Sequence, residues 1–267
     1  MLITATDELP VGITRIVSLV PSITALLHAL DLDAETIGIT RFCIHPPQWQ
    51  EQKTCIGGTK DVKVETIRQL QPDLIIANLE ENEREPIEQL SQQFPVWVTH
   101  IKTLEDALHL IEQLGRITGR TLQSETLINK IVGEFENLPA IRSTRKAAYL
   151  IWRKPYMAAG GDTYIHDLFT RAGLINIFSE QLRYPVTDTA ELQKFGCEVV
   201  LLSSEPFPFS QKHQLELEAA LPGTQVILVP GEPFSWYGSH LLQAPAAIVQ
   251  LMQNTGTCEP VFPPNSH

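Results

Sequence analysis

Cys43 and His45 are the two side chains in this chain whose types and spacing best suit coordination chemistry. One residue separates them, and in an extended segment side chains alternate, so both would project to the same side. Thiolate and imidazole together suit borderline-soft ions such as zinc, iron or cobalt. Pro46 and Pro47 follow at once and stiffen the backbone beyond them. We therefore read Cys43 and His45 as ligand contacts and as the candidate metal ligands. Two side chains do not complete a coordination sphere, and His-Pro-Pro is also an ordinary turn.

Other reactive or adhesive side chains gather in a few short stretches. Gly57-Gly58-Thr59-Lys60 has the glycines and lysine of a phosphate loop but not its spacing, so only Lys60 is kept as a ligand contact. Glu80, also taken as a ligand contact, leads a polar run whose later acids suit the start of a helix. Trp152-Arg153-Lys154-Pro155-Tyr156 is followed by Ala159-Gly160-Gly161-Asp162-Thr163-Tyr164, which opens a helix where backbone N–H groups would meet an anion. Ser203-Ser204-Glu205-Pro206-Phe207 and the segment from Gly231 to His240 complete the set. Aromatic residues in Pro- and Gly-rich loops are poorly explained by core packing; they suit the walls of a pocket for a flat or greasy ligand. From these loops we take Trp152, Tyr164, Glu205, Trp236, Tyr237 and His240 as ligand contacts. The chain has no G-x-S-x-G, H-E-x-x-H or G-x-G-x-x-G, and no catalytic residue is assigned.

The elements that must hold these loops announce themselves by an internal echo. Leu70 to Glu80 and Phe195 to Glu205 align with Asp73 on Glu198. In each copy a breaker pair precedes an acid, four apolar residues follow, and a glutamate (Glu80, Glu205) comes at the same offset. A short unbroken apolar run reads as a strand buried on both faces. Whatever follows such a strand sits at its carboxyl end, where open α/β sheets bind ligands. Strands are expected at Arg15–Val20, Thr36–Ile39, Thr54–Gly57, Asp73–Ala77 and Val96–Thr99, alternating with helices at Ser22–Leu30, Val62–Gln71 and Glu83–Gln92. Residues 103–138 lose the strands and read as two helical runs divided at Gly119-Arg120. Strands return at Ala147–Trp152, Glu198–Leu202 and Gln225–Val229, with helices near Asp162, over Lys212–Leu221 and over Ser239–Met252, and an irregular tail from Asn254. The organisation is an α/β lobe over 1–120, a connecting helix over 121–144 and a second α/β lobe over 145–267.

Composition narrows the function classes. The 267 residues carry a formal charge of −11, which argues against a nucleic-acid partner. No apolar run approaches the roughly 20 residues needed to cross a bilayer. Met1 to Pro10 shows no basic, apolar secretory leader, so the sequence as it stands reads as cytoplasmic, or as periplasmic or cell-surface if a signal ahead of it has been removed. The cysteines are Cys43, Cys55, Cys197 and Cys258, without a C-x-x-C; Cys55 and Cys197 read as small core residues.

The order of these parts resembles the class III substrate-binding proteins of ABC importers, the helical-backbone metal receptors. The resemblance rests on Arg15-Ile-Val-Ser-Leu-Val-Pro-Ser-Ile-Thr24, on Ile37-Gly-Ile-Thr40 before a Pro-Pro turn, on Arg171-Ala-Gly-Leu-Ile-Asn-Ile-Phe178, and most specifically on Leu70-Gln-Pro-Asp-Leu-Ile-Ile-Ala77. It implies two Rossmann-like lobes with parallel sheets, joined by a long rigid helix, and a ligand cleft between them. The implied ligand is a metal chelate or metal-containing cofactor (corrinoid, siderophore or haem), with an ABC permease as partner. Family receptors place a ligand-contacting aromatic on the loop that here carries Cys43 and His45, and Trp152, Glu205, Trp236 and Tyr237 fall on the matching loops of the second lobe. The family docks on its permease through a surface glutamate on each lobe; the first-lobe position falls within Glu83-Arg84-Glu85, on Arg84. The competing reading is a cytoplasmic corrinoid- or metal-handling enzyme or carrier that uses Cys43 and His45.

Overall fold

A computed structural model places residues 1–3 and 9–259 of the chain. The chain divides into two compact units. The first comprises Met1–Ile101, Glu105–Val132 and Tyr237–His240; the second comprises Lys102–Leu104, Gly133–Trp236 and the chain from Leu241 onward.

The first unit is built on β1 (Leu2–Ile3), β2 (Ile16–Ser18), α1 (Pro21–Ala29), β3 (Thr36–Ile39), α2 (Trp49–Gln52), β4 (Thr54–Cys55), α3 (Val64–Leu70), β5 (Leu74–Asn78), α4 (Arg84–Ser91) and β6 (Val96–Thr99). Its six strands pair in the order β1-β6-β5-β2-β3-β4, every pair parallel. Parallel neighbours need a crossover, and helices α1, α3 and α4 supply them, which covers the strands and explains their unbroken apolar runs. Val17, Ile75, Ala77 and Val96 pack with Ile67, Ile87 and Leu90 of the covering helices. Helices α5 (Leu104–Thr118) and α6 (Thr121–Glu136) follow, and the boundary between units falls inside α6, after Val132.

The second unit contains β7 (Arg145–Trp152), β8 (Tyr156–Ala158), α7 (Tyr164–Thr170), β9 (Leu174–Asn176), β10 (Val186–Thr187), α8 (Thr189–Lys194), β11 (Val199–Ser203), α9 (Gln211–Ala220), β12 (Gln225–Val229), α10 (Glu232–Ser235) and α11 (Ala244–Thr255). Its sheet runs β10-β8-β7-β11-β12, with β9 also on β7. The β9, β7, β11 and β12 pairings are parallel, whereas β8 and β10 are antiparallel. The expected parallel sheets are present in both units, and β8 and β10 add an antiparallel edge to the second: β8 returns directly from β7 through Arg153-Lys154-Pro155, a connection short enough only for a hairpin. The expected irregular tail is helical as far as Thr255, and residues 260–267 lie outside the described residues.

The echo in the sequence has a structural meaning at both ends of its strand. Gln71 and Gly196 each adopt a left-handed backbone, φ 46° and 67°, which ends the preceding helix and turns the chain into the strand. The acid that follows ties down the neighbouring strand. Asp73 Oδ2 accepts from Thr14 N at 3.0 Å, just ahead of β2, and Glu198 Oε2 accepts from Lys146 N of β7 at 2.8 Å. At the far end the last strand residue turns its side chain onto the emerging loop. Asn78 Oδ1 accepts from Glu80 N at 2.8 Å and Ser203 Oγ from Glu205 N at 3.3 Å. The repeated acids thus anchor the amino ends of β5 and β11, and the repeated glutamates leave their carboxyl ends.

Candidate functional site

In the first unit the loops at the carboxyl ends of the strands are joined through one side chain, Asn82. It is 8% exposed. Its Oδ1 accepts from Asn78 N at 2.8 Å, and its Nδ2 donates to Leu19 O at 3.2 Å and Thr59 O at 3.0 Å. Loops after β2, β4 and β5 are thereby fixed to one amide. Asn78 Nδ2 continues the network to Thr99, at the end of β6. Lys60 is exposed and donates to Glu80 O at 3.2 Å, with Glu83 Oε1 at 3.7 Å. Arg41 holds Asp61 through one nitrogen at 2.7 and 2.9 Å and lies over the Phe42 ring.

The loop after β3 does not present Cys43 and His45 together. Cys43 N donates to Thr40 O at 3.1 Å and Ile44 N to Phe42 O at 3.0 Å, so the segment is a tight turn, and the alternation of an extended chain does not apply. The Cys43 side chain is 0% exposed and its sulfur lies 3.1 Å from Thr24 Oγ1 and 3.2 Å from Thr40 Oγ1. Burial pushes its thiol pKa up, against the pull of the two hydroxyls. A buried thiol held this way cannot meet a ligand, and its role as contact and metal ligand is corrected to packing. His45 is half-buried, and its companion is His240, with ring centroids 5.1 Å apart and planes tilted by 47°. His240 is itself buried, in a 3-10 turn at Ser239–Leu242.

In the second unit the carboxyl ends of β7 and β11 carry an aromatic group. Trp152 is 40% exposed and meets Phe207 edge-on at 5.7 Å; Phe207 meets Phe209 at 4.8 Å and His213 at 5.4 Å. Glu205 is half-buried beside it, and its Oε1 accepts from Ser235 Oγ at 2.6 Å. Burial raises its carboxyl pKa, hydrogen bonds from Ser235 and Trp236 oppose this, and the charge of Glu232 adds to it. Gly231 makes room for that carboxylate, since a Cβ there would lie 2.2 Å from Glu205 Cγ. Trp236 is half-buried.

Two expectations in this unit fail. Gly160 N and Gly161 N donate to Arg183 O and Gln181 O, each at 2.8 Å, so the glycine stretch ahead of α7 spends those donors on its own fold and does not offer them to an anion. Tyr164 is buried, and desolvation holds its phenol well above the usual range, so it packs inside the unit. Tyr237, in the first unit, is buried as well. Exposure thus sorts the candidates: His45, Lys60, Glu80, Trp152, Glu205 and Trp236 keep accessible surface, while Cys43, Tyr164, Tyr237 and His240 are buried. Sequence reasoning missed Asn82, because an asparagine among acids ahead of a helix reads as a terminus of that helix.

The family model described as "Periplasmic binding protein" matches residues 16–205. A vitamin B12-binding protein of Vibrio parahaemolyticus is 27% identical over 171 residues, which span 62% of this chain and 62% of that relative. Among solved structures, the periplasmic vitamin B12 binding protein of Vibrio cholerae superposes with a TM-score of 0.73 at 19% identity, over 92% of this chain and 99% of that one. A periplasmic haem-binding protein of Roseiflexus superposes with a TM-score of 0.71 at 19% identity, over 91% of this chain and 100% of that one. At such identities the two superpositions establish the shared fold. The family match overturns the expectation of a cytoplasmic protein, which rested only on the composition of Met1 to Pro10.

Proposed function

Because the chain belongs to the periplasmic binding protein family, we propose that it is a receptor for a metal chelate of the corrinoid, haem or ferric-siderophore class, working with an ABC permease. Relatives named as vitamin B12-binding proteins and a shared fold with haem-binding proteins support that ligand class. Among features of this chain, the one that carries the reading is Trp152. A tryptophan 40% exposed, yet steadied edge-on by Phe207, offers a flat apolar face to a macrocycle or chelate. Glu205 beside it supplies a polar group held in position by Ser235 Oγ at 2.6 Å, which keeps the ordering cost of binding low.

The enzyme or carrier alternative needs a reactive Cys43. A thiol fully out of solvent, with its pKa raised by burial, is neither a nucleophile nor a metal ligand, and that alternative loses its chemistry. The test is thermal unfolding of the full chain with cobalamin, haemin or a ferric hydroxamate. A ligand that binds only the folded form at a hundredfold excess over Kd stabilises it by about 2.7 kcal/mol. A rise in melting temperature with one of them supports the proposal; no change with any member of the class sinks it.

A further inference from the structure

Three features of the first unit converge on His45 and His240. The rings are neighbours, with centroids 5.1 Å apart, and an imidazole nitrogen of one lies within 4.8 Å of an imidazole nitrogen of the other. Each ring is delivered by a segment with little freedom. His45 precedes Pro46-Pro47, and Trp49 N donates to Pro46 O at 3.1 Å to close the turn that leads into α2. His240 follows Gly238, whose φ of +88° only glycine adopts readily and whose missing Cβ would sit 3.0 Å from Leu26 Cβ. The Gly238–His240 segment is therefore seated directly on α1, the helix that crosses over between β2 and β3.

We infer that His45 and His240 form a two-imidazole site for a free divalent transition-metal ion of the zinc, cobalt, nickel or copper group. Imidazole nitrogens bind such ions at about 2.0–2.1 Å, and two of them at a tetrahedral angle stand about 3.4 Å apart. The nitrogens lie within 4.8 Å of each other, so binding calls for the half-buried His45 ring to move in to that spacing. Imidazole without thiolate selects zinc, copper or nickel over calcium or magnesium, which prefer oxygen. Two protein ligands leave coordination positions for water or an added donor, the arrangement of an open site rather than a closed structural one. Cys43 takes no part, since its sulfur is engaged by Thr24 and Thr40. The inference does not depend on the chelate reading: a bare ion is the ligand.

The test is titration of the metal-free full chain with cobalt(II), followed by its visible absorption and by calorimetry, and repeated with zinc as competitor. The wild type is expected to take up one ion per chain, displaced by zinc. His45→Asn and His240→Asn are each expected to weaken binding at least tenfold, with His45→Asn keeping the wild-type melting temperature because that ring is half-exposed. If His240→Asn unfolds the unit, His45→Asn alone decides. No uptake by the wild type, or equal affinity in wild type and His45→Asn, overturns the site. Titrating Trp152→Ala with cobalt(II), haemin and cobalamin separates the two readings: ion uptake kept at wild-type affinity, whatever happens to chelate binding, supports this inference, whereas ion uptake lost in Trp152→Ala overturns it.

Discussion

Replacing Asn82 by alanine removes the amide on which three loops of the first unit hang. The change breaks three hydrogen bonds, to Asn78 N, Leu19 O and Thr59 O. Asn78 and Leu19 are 4% and 0% exposed, so the stranded N–H and carbonyl have no route to water, whereas half-buried Thr59 has one. A buried group left unsatisfied costs about 1–3 kcal/mol, and an ordinary hydrogen bond contributes about 1 kcal/mol net. Two stranded groups and one partly rescued bond therefore sum to roughly 2–7 kcal/mol, at the large end for a single substitution. Asn82→Asp is expected to be at least as damaging: it keeps the acceptor for Asn78 N but turns a buried carboxylate towards two carbonyl oxygens. Urea unfolding of the full chain, with Trp49 and Trp97 reporting on the first unit and Trp152 and Trp236 on the second, resolves the loss. The first-unit transition should move and the second should not. A loss below about 1 kcal/mol in Asn82→Ala would refute the idea that this amide braces the loops.

Thiol reactivity gives a second check. Cys55, expected in the core, is exposed, while Cys43, Cys197 and Cys258 are buried, and burial pushes the Cys197 thiol up to about 11. A disulfide reagent should therefore modify Cys55 alone in the native chain and all four cysteines in denaturant; rapid native modification of Cys43 would contradict its packing role. Glu205 has its carboxyl pKa raised in the folded state, chiefly by burial. The folded chain then holds that proton more tightly than the unfolded one, so stability falls as pH rises from the unfolded value near ~4.3 to the higher folded value. Glu205→Gln should abolish that fall and equal the wild type below the window; an unchanged pH profile would refute it. Gly238→Ala forces a left-handed alanine against Leu26 and should cost about 1–3 kcal/mol in denaturant unfolding, whereas a neutral result would mean that this segment is not seated on α1.

The sequence was most legible where one physical signal dominated. β3 and β6 run over the expected residues because short apolar runs between polar breaks have one good reading, a strand covered on both faces, and β12 does so as well although Leu228 is exposed. β8, β9 and β10 escaped notice. Each has only two or three residues, and Met157, Ile175 and Val186 keep solvent access, so no burial pattern marks them. The echo pointed correctly to paired loops, yet its first acid is an anchor for the neighbouring strand and only the second faces the loop end. Cys43 was misread because alternation describes extended chain and residues 40–44 form a turn. His240 was expected as a ligand contact but not as the neighbour of His45, since 195 positions of sequence separation (240 − 45) carry no signal of proximity without the fold.

The central claim is that this chain carries a metal chelate, and calorimetric titration of the full chain with cobalamin, haemin and a ferric hydroxamate tests it most directly. The account predicts saturable binding of one of them, one per chain, at micromolar concentration or below, with the affinity reduced at least tenfold in Trp152→Ala while the fold is retained. Absence of heat and of spectral change with every member of that class, in protein shown to be folded, would contradict it.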